Sequence, residues 1–84
     1  MAEHFFVYGK PGCKFCVKAM TILNREDKSY SYFTLGVHFT REELLEKFPD
    51  AKTFPQIIVL NSGHETYIGG YTELEKYIDD NFSS

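Results

Sequence analysis

The chain has 84 residues, 43% of them hydrophobic and 17% aromatic, with a formal net charge of −3 and two cysteines. This is the size of one small domain, residues 1–84, with enough apolar mass for a core and too few cysteines for a disulfide scaffold. The negative balance argues against a general binder of nucleic acid or membrane surfaces, and no apolar run approaches a membrane span. Met1 to His4 lead straight into an apolar run with no secretory signal, so the expected compartment is the cytoplasm.

Charge is uneven along the chain. Residues 1–28 carry five Lys/Arg (Lys10, Lys14, Lys18, Arg25, Lys28) against three acids, and residues 29–84 carry four basic against nine acidic. The cationic segment holds both cysteines, which favours thiolates and small anionic substrates there. For Lys18 and Lys28 an ordinary solvated helix face explains the charge equally well.

Phe5 to Tyr8 is an unbroken apolar run and reads as a strand buried on both faces. Gly9-Lys10-Pro11-Gly12 reads as a turn with two permissive glycines. A helix follows from about Cys13 to about Arg25, with Cys16, Ala19/Met20 and Leu23 on one face. Tyr30 to Thr34 is rich in β-formers and reads as a second strand. Thr40-Arg41-Glu42-Glu43 has the form of a capping box, with Phe39 and Leu44 placed as a hydrophobic staple, and the helix it opens should end at Phe48 before Pro49.

Gln56 to Leu60 is the clearest buried strand. Asn61 to His64 reads as a hairpin turn, returning through Glu65 to Ile68 as an edge strand. After Gly69-Gly70 a last helix should span about Thr72 to Asn81, with Leu74, Tyr77 and Ile78 inward and Thr72/Glu75 as a capping box. The order is βαβα–ββα: a small mixed α/β sheet, its first two strands parallel through a right-handed crossover and its last two a hairpin.

The chemistry concentrates at Cys13-Lys14-Phe15-Cys16. A thiol at a helix start meets unpaired N–H groups and the positive end of the helix dipole, both of which favour the thiolate, and Lys10 and Lys14 add to this. Cys16 lies about one helical turn on and within reach, expected to be more buried and protonated. Cys13 is then the nucleophile and Cys16 the resolving thiol. Zinc would need four ligands, and His4, His38 and His64 are scattered singly, so redox chemistry is favoured over metal binding.

Two further stretches stay open on the residues alone. The Phe54–Pro55 bond is compatible with trans at a strand start; a cis bond would turn the Phe54 backbone outward to pair with an extended peptide. Gly69-Gly70 is either a plain turn or the opening of a helix N-terminus to a carboxylate, with the Tyr71 and Thr72 amides as donors.

Taken together, Tyr8-Gly9-Lys10-Pro11-Gly12-Cys13-Lys14-Phe15-Cys16, Thr53-Phe54-Pro55-Gln56-Ile57 and Tyr67-Ile68-Gly69-Gly70-Tyr71-Thr72-Glu73-Leu74 resemble a dithiol glutaredoxin over almost the whole chain. The resemblance implies a thioredoxin-like fold, a cis bond before Pro55, and glutathione as reducing co-substrate with no tightly bound cofactor. It implies that Lys10 meets the glycyl carboxylate of glutathione, that Phe15, Thr53, Phe54 and Pro55 line the cysteinyl part, and that Gly70, Tyr71 and Thr72 hold the γ-glutamyl end. Protein disulfides, ribonucleotide reductase among them, are the implied clients of a monomer.

The chain departs from the family in having Lys14-Phe15 where Pro-Tyr is common between the cysteines. It also has Thr72, which carries no charge, where Asp is frequent. Lys52 is a further candidate contact for a carboxylate. Two alternatives share the resemblance: a glutaredoxin-like carrier reduced by thioredoxin reductase, and a module holding an iron–sulfur cluster between two chains. Gly69-Gly70-Tyr71-Thr72 weighs against the first and the second cysteine, Cys16, against the other.

Overall fold

The computed structural model describes residues 3–82. The elements run β1 (Glu3–Gly9), α1 (Lys14–Arg25), β2 (Ser29–Thr34), α2 (Arg41–Lys47), β3 (Gln56–Asn61), β4 (His64–Gly69) and α3 (Tyr71–Phe82). The sheet order is β2-β1-β3-β4, with β1 parallel to β2 and antiparallel to β3, and β4 antiparallel to β3. The order of elements, the parallel β1–β2 pair and the β3–β4 hairpin are those expected from the sequence; the antiparallel β1–β3 pairing that joins the two halves is added by the structure.

The apolar run of β1 serves both faces because its side chains alternate. Phe5 and Val7 join Ile57 and Val59 on one face, covered by Ala19, Ile22 and Leu23 of α1 and by Leu74 and Ile78 of α3. Phe6 and Tyr8 pack on the other face with Ile58, against Phe39, Leu44 and Phe48. Helices α1 and α3 therefore share one side of the sheet and α2 takes the other. Leu23 is fully buried in the first of these layers, and truncating it to Ala should cost about 2–5 kcal/mol. Ile22 takes the inward position expected of Met20, which is only half-buried.

Helix α2 begins as its sequence demands. The Thr40 side chain accepts from the Glu43 amide, Glu43 reaches back to the Thr40 amide, and Phe39 and Leu44 meet in the core beneath them. The helix stops at Lys47, one residue before the expected end. Phe48 precedes Pro49 and is pushed out of helical geometry to φ −129°, ψ 80°.

Helix α3 starts one residue early, and the cap expected from Thr72/Glu75 is elsewhere. The Glu73 carboxylate accepts from the Gly70 amide at 2.8 Å, and the Gly70 carbonyl receives the first helical amide, from Leu74. Gly70 is thus the N-cap, and Thr72 sits inside the first turn. At the far end of β1, Glu3 receives Lys28 Nζ at 3.3 Å and the Tyr77 hydroxyl at 2.5 Å, which ties β1 to the turn just before β2 and to α3.

Candidate active site

Strand β1 carries the chain to the top of the sheet, and Lys10 to Gly12 turn it into α1. Gly12 sits at φ +71°, a conformation that a side chain would strain. Cys13 is the N-cap of α1 rather than its first residue, in extended geometry at φ −94°, ψ 112°. Its sulfur accepts the Cys16 amide at 3.2 Å, the place a serine or threonine oxygen usually takes at a helix start.

The two sulfurs are disulfide-bonded, with Cα atoms 5.2 Å apart. They differ in access: Cys13 keeps 9% of its surface exposed and Cys16 none. On reduction, the amide and the positive end of α1 face Cys13, so the accessible sulfur is the one whose anion is supported.

The Phe54–Pro55 bond is cis, which resolves the alternative left open by the sequence. The Phe54 carbonyl oxygen lies 3.8 Å from Cys13 Sγ, within reach of a thiol proton in the reduced form. The loop is held from behind by Gln56, a polar side chain only 3% exposed. Its Nε2 donates to the Thr53 carbonyl at 2.6 Å, and its Oε1 receives the Tyr67 hydroxyl.

Two clefts flank this point. One, about 180 Å³, is lined by Phe15, Thr53, Phe54, Gly70, Tyr71, Thr72 and Glu73. It brings together six of the residues that the resemblance singled out. Pro55 is buried behind it, its carbonyl oxygen 3.5 Å from where a Cβ on Gly70 would stand.

The other cleft, about 470 Å³, is lined by Lys10, Pro11, Gly12, Cys13, Lys14, Val17, Tyr32 and Thr34. Lys10 belongs to this second cleft, yet its ammonium lies 5.6 Å from the Phe54 ring centroid and so stands between the two. Lys52 lines neither. A further cleft under the end of α2, between Phe48 and Tyr67, shares no lining residue with these two.

Four residues of the site were missed by sequence reasoning. Lys18, which a solvated helix face explained equally well, lies over both Phe15 and Tyr71, at 5.2 and 5.9 Å from the ring centroids, and links α1 to the start of α3. Glu73 brings a carboxylate into the smaller cleft beside the uncharged Thr72. Gln56 was read only as part of a strand; a single amide at the head of a run that is otherwise apolar was the available signal. Tyr32 reaches the cysteines from β2, and nothing in its local sequence marks it.

A dithiol at a helix N-terminus, beside a cis-proline loop at the top of a four-stranded mixed sheet, is the arrangement of a thiol–disulfide oxidoreductase of thioredoxin-like fold. Residues 5–64 match the family model Glutaredoxin. The chain is 29% identical over 85 residues to Glutaredoxin 1 of Escherichia coli, covering 93% of this chain and 95% of that protein. It is 32% identical over 82 residues to the Glutaredoxin of Vibrio cholerae, covering 89% and 90%. Among solved structures, Glutaredoxin 1 from Francisella tularensis complexed with cacodylate superposes with a TM-score of 0.76 at 21% identity, covering 99% of this chain and all of that one. The chain belongs to the glutaredoxin family, whose members exchange thiols and disulfides with glutathione as co-substrate.

Among the described residues no group of three or more His, Cys, Asp or Glu side chains is placed to hold a metal ion. No helix among them is long and apolar enough to cross a membrane.

Proposed function

We propose that the chain is a glutathione-dependent dithiol oxidoreductase that reduces protein disulfides and glutathione mixed disulfides. One observation carries the reading: the partly exposed Cys13 sulfur accepts the Cys16 amide at 3.2 Å, while Cys16 is buried behind it. The Cys13 thiolate attacks a client sulfur, the client disulfide breaks, and the electron pair leaves on the client's other sulfur. Cys16 then attacks Cys13, the mixed disulfide breaks, and the client departs reduced. Two glutathiones return the pair to dithiol, the first attacking Cys13 and the second releasing it, and glutathione disulfide forms.

In this reading the smaller cleft takes glutathione. The Thr53–Pro55 loop offers its outward backbone to the cysteinyl residue as an added strand would. Phe15 and Phe54 give that residue an apolar wall. Lys10 meets the glycyl carboxylate. At the other end, the Tyr71 and Thr72 amides at the start of α3, with Gly70 leaving room beside them, receive the γ-glutamyl carboxylate. Glu73 supplies the negative charge for its ammonium that Thr72 lacks. A client of the ribonucleotide reductase kind, a cytoplasmic setting, a monomeric state and a single domain over residues 1–84 complete the proposal.

The test is turnover of a glutathione mixed disulfide and of a protein disulfide with glutathione, glutathione reductase and NADPH as the sole source of electrons. Turnover of both is expected. No turnover of either, from a chain that dithiothreitol reduces normally, would reject glutathione as the reductant.

A further inference from the structure

Cys16 poses a problem that Cys13 does not. When a thiol attacks Cys13 in the oxidised protein, a new disulfide forms to Cys13, the Cys13–Cys16 bond breaks, and its electron pair leaves on Cys16. That sulfur has no exposed surface. A buried anion without a donor is costly, and the helix N-terminal amide at hand is already directed at Cys13.

The space that β1 leaves empty at Gly9 shows what faces this sulfur. A Cβ on Gly9 would stand 2.1 Å from the Tyr32 hydroxyl oxygen and 3.0 Å from Cys16 Sγ. The hydroxyl oxygen and the sulfur thus border the same space, the one a methyl group on Gly9 would fill. Tyr32 stands on β2, paired with Val7 of β1, so its ring runs along β1 toward the cysteines. The ring is partly buried and also packs against the core shared by β1, α1, β3 and α3. Tyr32 lines the open cleft together with Cys13 and Lys10. Burial raises the phenol pKa, which keeps the group a donor at neutral pH.

We propose that the Tyr32 hydroxyl is the hydrogen-bond donor to the Cys16 sulfur, stabilising its thiolate as it leaves Cys13 and, in the reverse direction, as it attacks. The proton that later neutralises Cys16 passes from cleft water through the same hydroxyl, which gives up one proton and takes another. The proposal rests on the dithiol half of the function proposed above and needs nothing of glutathione recognition.

The experiment compares the whole chain with Tyr32→Phe, which removes the hydroxyl and keeps the ring. Reduction of the Cys13–Cys16 disulfide by dithiothreitol is followed by rapid acid quench and alkylation. It is expected to slow about tenfold or more, as the loss of one charge-assisted hydrogen bond requires. The control is made in Cys16→Ser, with Cys13 held as a mixed disulfide to thionitrobenzoate. Its release by dithiothreitol leaves no charge on residue 16, and Tyr32→Phe should change it by less than about twofold. An unchanged first rate, or equal slowing in both, overturns the proposal, since the phenol would then be idle or merely structural. Because dithiothreitol is the reductant, failure of glutathione to turn the chain over would leave this test standing.

Discussion

Gln56 and Thr53 are joined by a hydrogen bond from the Gln56 Nε2 to the Thr53 carbonyl, 2.6 Å long, that fixes the loop facing Cys13 from behind. Gln56 is nearly fully buried and also receives the Tyr67 hydroxyl. Removing its amide strands a carbonyl and a hydroxyl at once. Gln56→Ala should lower stability by about 1–3 kcal/mol in denaturant unfolding. Should glutathione use this loop, its KM should rise while the alkylation rate of reduced Cys13 stays near that of the parent. A change in alkylation alone would mean the loop acts on the sulfur and not on the ligand.

The two cysteines should separate cleanly by substrate. Cys13→Ser leaves no accessible thiol, since Cys16 is buried, and should abolish turnover of both a glutathione mixed disulfide and a protein disulfide. Cys16→Ser leaves the exposed sulfur at the N-cap and should spare the first while impairing the second. Equal loss in both variants on both substrates would show that Cys13 does not work alone on any of them.

Glu73 offers a test in which charge and cap come apart. Glu73→Gln keeps an acceptor for the Gly70 amide, now 2.8 Å from Oε1, so stability should hold within about 0.5 kcal/mol. Glutathione KM should nonetheless rise about two- to fivefold, the usual worth of an exposed ion pair. Glu73→Ala removes the cap as well and should cost about 1 kcal/mol in addition. An unchanged KM in both variants would remove Glu73 from ligand binding and leave it a capping residue.

The elements and the cysteine pair were legible because their causes are local. The alternation in β1, the box at Thr40 and Glu43, and a C-x-x-C beginning a helix are each written within a few residues. What was misread depended on distant partners. Gly9 looks like a turn glycine, yet it ends β1 and is not among the residues at positive φ. It is required because the ring of Tyr32, from another strand, occupies the space a methyl group would need. Thr72 and Glu75 fit the capping pattern for α3, but Gly70 and Glu73 fit the same spacing and the turn from β4 selects them. The cis bond before Pro55 followed from likeness to a family, not from the residues themselves, which allow either form.

Alkaline pH should weaken the fold through Tyr77. Burial, then the hydrogen bond to Glu3, then the charge of Glu3 push its phenol from 10.0 up to about 12. The folded chain therefore holds this proton after the unfolded chain has released it. The stability gained is whole below the unfolded value and is lost as pH climbs from about 10 to about 12. Burial raises Tyr8, Tyr32 and Tyr67 as well, so the decline is shared. Urea unfolding of the parent and of Tyr77→Phe across this window checks it: the variant should start less stable and lose stability less steeply. Parallel slopes would mean that Tyr77 titrates no differently folded than unfolded, and that the Glu3 contact does not hold its proton.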